Sequence, residues 1–475
     1  MNDVDTLISG GEVITAFGRK RLDVLVQDEK IAALLDPDAA KPPAKRTIDA
    51  RGLYVLPGMI DPHTHIGGGA KVFGSVEEAV KRCTQALAFG GTTTVMEMIG
   101  GEKGKSLSPI LAEAVKEREG AMAIDFSFHP SLRSVEEETV SELEGCAAEG
   151  FPSFHASFEG SRGKEPLNEG GLYRLLTMGR ERGIMTIIHA EDSHINEVLI
   201  RQIPDSGRME NISRCRPWFS ETAAVLRAVF MARLTGGPLY FEHLGAGPSL
   251  EVVRAARKEG FPVYAETCPH YLCFSEESYR KPEGVGLLKS PPLRRKEDAE
   301  ALWEGLSDGT IPSVATDESV ALVAEKRRRL EENPAYRVSG GLNQIELRLP
   351  VMHTEMVVKR GMPVERLVYC LSTGPARLFG IYPKKGTIAV GSDADLTLFD
   401  PSTRWRVRNE ELHQGTDYTI FEGWELHGLA RTTLLRGQVL VENGKFVGPE
   451  RTGRWLPRQF DRAVIEATNT LSTLP

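Results

Sequence analysis

The chain has 475 residues, of which 41% are hydrophobic and 26% charged, and its formal net charge is −8 at pH 7. This composition is typical of a globular protein and disfavours nucleic acid as a partner, because binding to phosphates requires a basic surface. The six cysteines include no CxxC pair, so we expect reduced thiols. No apolar run reaches the roughly 18 residues of a membrane span, and the first residues do not resemble a signal peptide. We therefore expect a cytoplasmic protein.

The two ends of the chain share a pattern of short apolar segments separated by turns. In residues 1–57, Val24–Val26 and Ile31–Leu34 are separated by polar residues, and residues 382–450 alternate in the same way around Gly and Asp. Strands this short cannot bury a face alone. We therefore predict one β-sandwich domain built from both ends, followed by a tail, residues 451–475, that packs on a neighbouring subunit.

The middle zone, residues 58–381, alternates strand-like and helical segments. The eight strand-like segments are Leu53–Ile60, Thr92–Met96, Ile124–Phe128, Pro152–His155, Ile184–His189, Leu239–Glu242, Pro262–Glu266 and Ser313–Ala315. This alternation predicts a parallel sheet, and eight strands predict its closure into a (β/α)8 TIM barrel, an α/β fold. An open doubly wound sheet is the alternative, which the absence of a GxGxxG motif after the first strand disfavours.

Two histidines, His63 and His65, stand where the first barrel strand ends. Side chains two residues apart share one face of a strand, so both imidazoles are predicted to point into the mouth of the barrel. Two imidazoles that converge there can bind a metal ion. A packing or capping pair in a loop is the alternative, and the motif alone leaves it open.

Three further side chains, His189, His243 and Asp317, also end apolar segments. The C-terminal ends of the strands are where barrel enzymes carry their catalytic residues. One histidine at such a place is more often structural. Four histidines and a carboxylate need a common partner, because buried polar groups cost free energy unless they are paired. We therefore predict a metal centre.

Several longer motifs connect the chain to a known family. They are residues 57–65 (Pro-Gly-Met-Ile-Asp-Pro-His-Thr-His), 189–191 (His-Ala-Glu), 266–272 (Glu-Thr-Cys-Pro-His-Tyr-Leu), 290–294 (Ser-Pro-Pro-Leu-Arg) and 386–396 (Gly-Thr-Ile-Ala-Val-Gly-Ser-Asp-Ala-Asp-Leu). On these motifs the chain resembles the cyclic amidohydrolases, the dihydropyrimidinase and hydantoinase branch of the amidohydrolase superfamily. The resemblance runs from Gly10 to about Gly444.

The resemblance implies a barrel with a β-sandwich, a small-molecule substrate and a homodimer or homotetramer. It assigns the metal ligands as His63, His65, His189, His243 and Asp317, with Asp317 also carrying a proton between the attacking water and the leaving nitrogen. By the same resemblance, Ser290 and Asn343 hold the substrate through backbone groups. His243 or His155 is predicted to help stabilise the oxyanion.

The chain departs from the family at the end of the fourth barrel strand. Family members usually carry there a carboxylated lysine that bridges two metals, and this chain has His155. A neutral imidazole cannot supply a bidentate anionic bridge, so we predict a single divalent ion, Zn²⁺, Co²⁺ or Mn²⁺. His155 is predicted to be either an additional ligand or a group that hydrogen-bonds to one.

A second departure concerns the substrate. The family tyrosine that hydrogen-bonds to the substrate corresponds here to Gly160, and losing one such donor typically costs about 10²–10³ in rate. We therefore predict a non-standard substrate, such as an N-acyl or thiocarbamate compound, in a pocket widened at Gly160. The charged run at 326–332 is predicted to be a solvated helix face.

The predicted function is hydrolysis of a non-peptide C–N bond in an amide, carbamate, thiocarbamate or urea-like compound, a range that includes xenobiotics. Opening of a cyclic amide, as in dihydropyrimidinases and hydantoinases, is the first alternative. A non-catalytic scaffold is another, because some paralogues in the family have lost the metal site, although here all five ligands remain. Deamination of a ring amidine stays open as a third alternative.

Overall fold

The computed structural model of the protein describes residues 4–102, 105–160, 165–338 and 340–466. Numbered in chain order, the strands are β1 Val4–Ser9, β2 Glu12–Thr15, β3 Gly18–Arg21, β4 Asp23–Gln27, β5 Lys30–Leu35, β6 Ala44–Asp49, β7 Tyr54–Pro57, β8 Met59–Thr64, β9 Thr92–Gly100, β10 Asp125–Ser131, β11 Ser153–Ser157, β12 Met185–His189, β13 Leu239–Phe241, β14 Val263–Thr267, β15 Ser313–Val314, β16 Leu396–Arg406, β17 Glu425–Leu435, β18 Gln438–Glu442 and β19 Lys445–Phe446.

The longer α-helices lie between the barrel strands or follow the last of them. They span Val76–Phe89, Leu107–Glu119, Glu137–Ala148, Glu169–Arg182, Ser193–Gln202, Trp218–Thr235, Gly247–Lys258, Lys296–Asp308 and Val323–Glu332. Shorter α-helices span Ala70–Phe73, Ile212–Cys215, Pro269–Cys273, Arg348–Met352, Val364–Val368, Gly374–Leu378 and Arg462–Ile465.

The first long helix shows why these segments are helical. It begins after Ser75, whose hydroxyl oxygen accepts a hydrogen bond from the Glu78 N–H at 3.1 Å, an N-cap interaction. Val80, Cys83 and Leu87 are buried on one face and recur at helical spacing. That face packs into the large core between the barrel strands and the helices.

Strands β8 to β15 form one parallel sheet in chain order. The two edges meet where the Asp317 N–H donates to the His63 carbonyl at 3.0 Å and where Thr64 forms a parallel bridge to Glu318. The predicted (β/α)8 barrel is thus confirmed. A separate cluster fills its interior and includes Ile60, Met96, Ile187, Tyr240 and Tyr264.

The predicted first strand, Leu53–Ile60, was wrong in its extent, because two strands of different sheets occupy this segment. β7 pairs with β16 and β2, whereas β8 pairs with β9. The chain passes from one sheet to the other at Gly58, where a Cβ atom would lie 2.1 Å from the Thr93 hydroxyl oxygen. A glycine is required there because the Thr93 side chain occupies the space that a Cβ atom would need.

The two ends of the chain form two further sheets with a common core. One has the order β5-β4-β1-β6 and the other β19-β18-β17-β16-β7-β2-β3. Ile8 and Val24 from the first sheet pack with Val55, Leu396 and Leu434 from the second. The ends therefore bury their apolar faces together, as the sequence pattern predicts. The exact domain boundaries stay predictions.

The junction between the barrel and these sheets contains a buried lysine, Lys385. Its ammonium lies 2.7 Å from carboxylate oxygens of Asp125 and Asp395 and 3.0 Å from one of Asp393. Burial lowers the pKa of Lys385, but the three carboxylates outweigh it and raise the pKa. Asp125 begins barrel strand β10 and Asp395 precedes β16, so this ion cluster connects the two domains.

The described part of the predicted tail packs on the barrel of its own chain. The Leu456 N–H donates to the Phe126 carbonyl at 2.8 Å, and the buried Arg458 donates to the hydroxyls of Ser127 and Ser153 at 2.8 Å. Burial lowers the pKa of Arg458 to about 9. Packing of the tail on a neighbouring subunit stays a prediction, and residues 467–475 lie outside the described residues.

The charged run at 326–332 lies on the helix Val323–Glu332, but one of its members is buried. Arg328 is exposed and pairs with Glu325 and Glu332. Lys326 is 1% exposed and donates to the carbonyls of Gly286 and Leu288 at 2.8 and 3.1 Å. The prediction of a solvated face was therefore wrong for Lys326, whose ammonium holds a neighbouring loop. Within the described residues, every helix is too short or too polar to cross a membrane.

Candidate metal centre

The C-terminal ends of the barrel strands bring the five predicted ligands together in two groups. The first contains His63, near the end of β8, His65 and Asp317. The Nε2 atoms of the two imidazoles lie 3.2 Å apart, and Asp317 Oδ1 lies 3.4 Å from the first and 3.3 Å from the second. One atom from each residue lies within 4.8 Å of the others, a spacing that allows one ion to contact all three.

The second group contains His189, His243 and a residue that was not predicted, Glu242. His189 Nδ1 lies 3.1 Å from His243 Nε2. Glu242 Oε1 lies 3.1 Å from the same Nε2 and 3.6 Å from the same Nδ1. His189 ends β12, and Glu242 and His243 follow β13. The C-terminal ends of two neighbouring strands therefore supply this second set of donors.

Two of these side chains reach the site through a left-handed backbone. The φ angle is 37° at His243 and 50° at Asp317, a conformation that costs about 1–3 kcal/mol for such residues. Tyr240 faces the barrel interior and Phe241 the outer core, so regular alternation would point Glu242 inward and His243 outward. The positive φ instead turns His243 back beside Glu242. Strain of this kind concentrates at functional sites.

His155 hydrogen-bonds to Glu242. Its Nε2 lies 3.1 Å from Glu242 Oε1, and its Nδ1 lies 2.5 Å from the hydroxyl oxygen of Ser131 on β10. His155 lies outside both ligand groups. The geometry therefore favours the second of its two predicted roles, a partner of a ligand.

Two further charged residues, which were also not predicted, orient the first group. Glu266 Oε1 lies 2.6 Å from His63 Nδ1, which leaves Nε2 of that ring free to face the centre, as is usual for metal-binding imidazoles. The ammonium of Lys289 contacts Asp317 Oδ2 and also donates to the Asp317 carbonyl at 3.0 Å. Lys289 therefore holds one carboxylate oxygen of Asp317 while the other faces the two histidines.

The electrostatics of the centre favour a cation. Burial lowers the pKa of His63, but Asp317, Glu242 and Glu266 outweigh it and raise the pKa to about 10. The carboxylates thus create a negative potential at buried imidazoles, where a divalent ion can replace the protons. Glu242 is 4% exposed, yet its Oε2 accepts no hydrogen bond from any described residue. Imidazole and carboxylate donors together with an unsatisfied oxygen fit Zn²⁺, Co²⁺ or Mn²⁺.

A third group of donors lies behind His189. His189 Nε2 is 3.1 Å from Glu191 Oε2 and 3.5 Å from Glu159 Oε2. The buried Arg216 contacts Glu191 and donates to Glu159 at 2.7 Å. The guanidinium holds both carboxylates beside the His189 imidazole, and they therefore orient His189. Gly160 is exposed, and the carboxylate of Glu159 borders the site next to this predicted opening.

The Arg216→Lys variant is expected to lower the free energy of unfolding by about 1.5–3 kcal/mol, the usual contribution of a hydrogen bond to a charged group. Lysine keeps the charge but loses the planar fork that contacts Glu191 and Glu159 together. The midpoint of urea unfolding measures the effect, with Arg214→Lys at an exposed neighbour as the control. Equal midpoints for the two variants would contradict the assigned role.

The two residues predicted to bind substrate both lie in loops at this end of the barrel. The Ser290 hydroxyl donates to Glu191 Oε2 at 3.3 Å. The Asn343 side chain donates to the carbonyls of Ala321 and Tyr418 at 2.7 and 3.2 Å, with φ at 49°. Both side chains therefore fix loop conformation, and binding of substrate by their backbone groups stays a prediction.

Some of the missed residues had a signal in the sequence. Alternation from Tyr240 leads to Glu242, and alternation from Tyr264 leads to Glu266, both on the inner face of the barrel. A carboxylate at the inner end of a buried strand is rare without a partner, so both could have been found. Lys289 and Arg216 lie in irregular segments, where no periodicity predicts which way a side chain points.

Comparisons with known proteins agree over almost the whole chain. Residues 54–440 match the amidohydrolase family. The D-hydantoinase of Streptomyces coelicolor is 34% identical over 463 residues, which cover 95% of this chain and 98% of that protein. The crystal structure of the dihydropyrimidinase from Brevibacillus agri has a TM-score of 0.90 and 33% identity, covering 96% of this chain and 99% of that one. The L-hydantoinase (dihydropyrimidinase) of Arthrobacter aurescens has a TM-score of 0.86 and 28% identity, covering 96% and 100%.

Proposed function

The chain belongs to the amidohydrolase family and hydrolyses a C–N bond other than a peptide bond, and we propose that this bond is the amide of a cyclic substrate such as a hydantoin or a dihydropyrimidine. The convergence of the five ligands at the mouth of the barrel carries this proposal. The similar proteins bear the names D-hydantoinase and dihydropyrimidinase, which supports a substrate of this class.

The comparisons favour cyclic-amide opening over the non-standard substrate that the sequence suggested. That prediction depended on Gly160, which replaces one hydrogen-bond donor. The similarity to a D-hydantoinase covers 98% of that protein, so one lost donor is a weaker guide to the substrate than the shared barrel and motifs. The acyclic N-acyl and thiocarbamate compounds remain in the test as competing substrates.

The proposed ligands are His63, His65 and Asp317 in the first group and His189 and His243 in the second. A divalent ion bound there lowers the pKa of water and polarises the substrate carbonyl. From the replacement of the bridging lysine by His155 alone, a single ion is expected. The residues present suit Zn²⁺, Co²⁺ or Mn²⁺, and geometry and availability decide among these ions as much as affinity does.

Asp317 is the proposed carrier of the proton. Its Oδ1 faces the two histidines of the first group, and its Oδ2 is held by Lys289. As water oxygen adds to the substrate carbonyl, Asp317 accepts a proton, and it then delivers that proton to the ring nitrogen as the C–N bond breaks. The product is a ring-opened carboxylic acid. His243, from the second group, is proposed to help stabilise the oxyanion.

A substrate screen tests this function. Purified protein is supplied separately with Zn²⁺, Co²⁺ and Mn²⁺ and incubated with hydantoin, dihydrouracil, an N-acyl amine, a carbamate and a thiocarbamate. We expect ring opening of a cyclic amide, detected as the mass of one added water. Turnover of acyclic compounds alone would overturn the cyclic-amide proposal, release of ammonia from an intact ring would indicate a deaminase, and metal-free, inactive protein would indicate a scaffold.

We also propose a homodimer or homotetramer, as the resemblance to the cyclic amidohydrolases implies. Light scattering during size-exclusion chromatography measures the mass directly. A monomer over the working range of protein concentration would contradict this proposal.

A further inference from the structure

Glu242 belongs to the second ligand group and also contacts His63 of the first. We propose that it supplies the anionic bridge between two metal ions, in place of the carboxylated lysine that this chain lacks. Here we take the two groups to be metal sites, as the proposed function requires. The centre would then hold two ions, and the expectation of a single ion, which considered only the residue at position 155, would be replaced.

The two oxygens of the Glu242 carboxylate face different groups. Oε1 lies 3.1 Å from His243 Nε2 and 3.6 Å from His189 Nδ1, the two donor atoms of the second group. Oε2 lies 3.6 Å from His63 Nε2, a donor of the first group. A carboxylate placed in this way can give one oxygen to each of two ions, which is the function of a bridging ligand.

The partners of Glu242 leave its charge without compensation once metal is bound. Among the described residues, every hydrogen bond or ion pair of the Glu242 carboxylate comes from an imidazole, namely His63, His155, His189 or His243. Asp317 and Glu191 differ in this respect, because Asp317 contacts Lys289 and Glu191 contacts Arg216. Metal-binding imidazoles are neutral, so in the loaded site His63, His189 and His243 bring no charge that compensates Glu242.

The free oxygen of this carboxylate supports the same conclusion. Oε2 is buried and accepts no hydrogen bond from the residues that the structure describes. Leaving such an atom unsatisfied is costly, and native proteins keep few of them. A cation on the His63 side would satisfy Oε2 and remove the cost.

His155 is the positioning residue for this bridge. When the Ser131 hydroxyl donates to Nδ1, the Nε2–H is left to donate to Glu242 Oε1 across 3.1 Å. The side chain at the lysine position thus no longer provides the anion but holds the residue that does. Position 155 lacks the negative charge of the family's carboxylated lysine, and Glu242 provides one.

Metal content per subunit tests the bridge without reference to activity. Protein stripped by a chelator is reloaded with Co²⁺, excess ion is removed, and bound cobalt is measured by mass spectrometry. We expect two ions in the parent, one or fewer in Glu242→Gln, and two in the control Glu197→Gln, which removes an exposed carboxylate. One ion in the parent, or two in Glu242→Gln, would overturn the bridge. No ion in the parent would instead overturn the proposed function.

Magnetic coupling provides a second measurement on the parent protein, so the test does not depend on the folding of a variant. Two Co²⁺ ions joined by a carboxylate are expected to show exchange coupling by electron paramagnetic resonance, and uncoupled signals at full loading would contradict the bridge. We expect His155→Leu to bind the second ion about 10–100-fold more weakly than the parent does. His155→Gln, which keeps an N–H donor, is expected to recover part of this affinity. Equal affinities of the parent and His155→Leu for the second ion would exclude the positioning role.

Discussion

The Asp317→Asn variant is expected to fold and to lose turnover, with kcat lower by at least about 10²–10⁴-fold, the usual contribution of general acid–base catalysis. The amide has nearly the same shape as the carboxylate but cannot accept the proton of the attacking water. The measurement is kcat on whichever cyclic amide the parent opens, with circular dichroism to confirm the fold. An active variant would refute the assigned role.

The contact between Asp317 and Lys289 requires a specific control. Removing the carboxylate leaves a buried ammonium that still donates to the Asp317 carbonyl but has lost its counter-ion. The double variant Asp317→Asn with Lys289→Met removes both charges. We expect it to recover the stability that the single variant loses and to remain inactive. Recovery of turnover in the double variant would show that the unpaired lysine, and not the missing base, caused the loss.

The Lys385→Met variant is expected to lower the free energy of unfolding by about 3–5 kcal/mol, the usual cost of breaking a buried ion pair from one side. Methionine fills a similar volume but leaves the carboxylates of Asp125, Asp393 and Asp395 without the cation that they share. The midpoint of urea unfolding measures the loss.

Lys384→Met is the matched control, because this neighbouring lysine is exposed. Exposed positions of this kind usually change stability by less than about 0.5 kcal/mol. Since the ion cluster joins the barrel to the terminal sheets, we also expect Lys385→Met to separate the unfolding of the two domains into two steps. A single transition at the midpoint of the parent would contradict both expectations.

The barrel could be predicted because its strands are short apolar runs between helical segments, and seven of the eight strands lie close to their predicted places. The first strand was misjudged at Gly58. Apolar residues continue through that point, so hydrophobicity alone cannot show that the chain changes sheets. The information lies in the contact with Thr93, which only the fold brings into place.

The sequence predicted the side chains that converge at the candidate site, but not the charged residues around them. A histidine at the end of a strand is visible in the sequence, and His63, His65 and His189 needed no more than that. His243 was predicted from its position at the end of an apolar segment, but it faces the site only because its backbone is left-handed, with a φ of 37°. Glu242 was not among the predicted ligands, whereas His243, the residue that follows it, was. With Glu242 left out, replacement of the lysine at position 155 removes one negative charge from the predicted centre.

The origin of the proposed bridging carboxylate has a consequence for how the enzyme matures. A lysine becomes carboxylated only after its amine has captured carbon dioxide, so a centre of that kind depends on dissolved gas and on a reversible covalent step. A glutamate leaves the ribosome with its carboxylate already in place. With Glu242 in this role, assembly of the centre needs only folding and metal, and it is indifferent to the bicarbonate content of its surroundings.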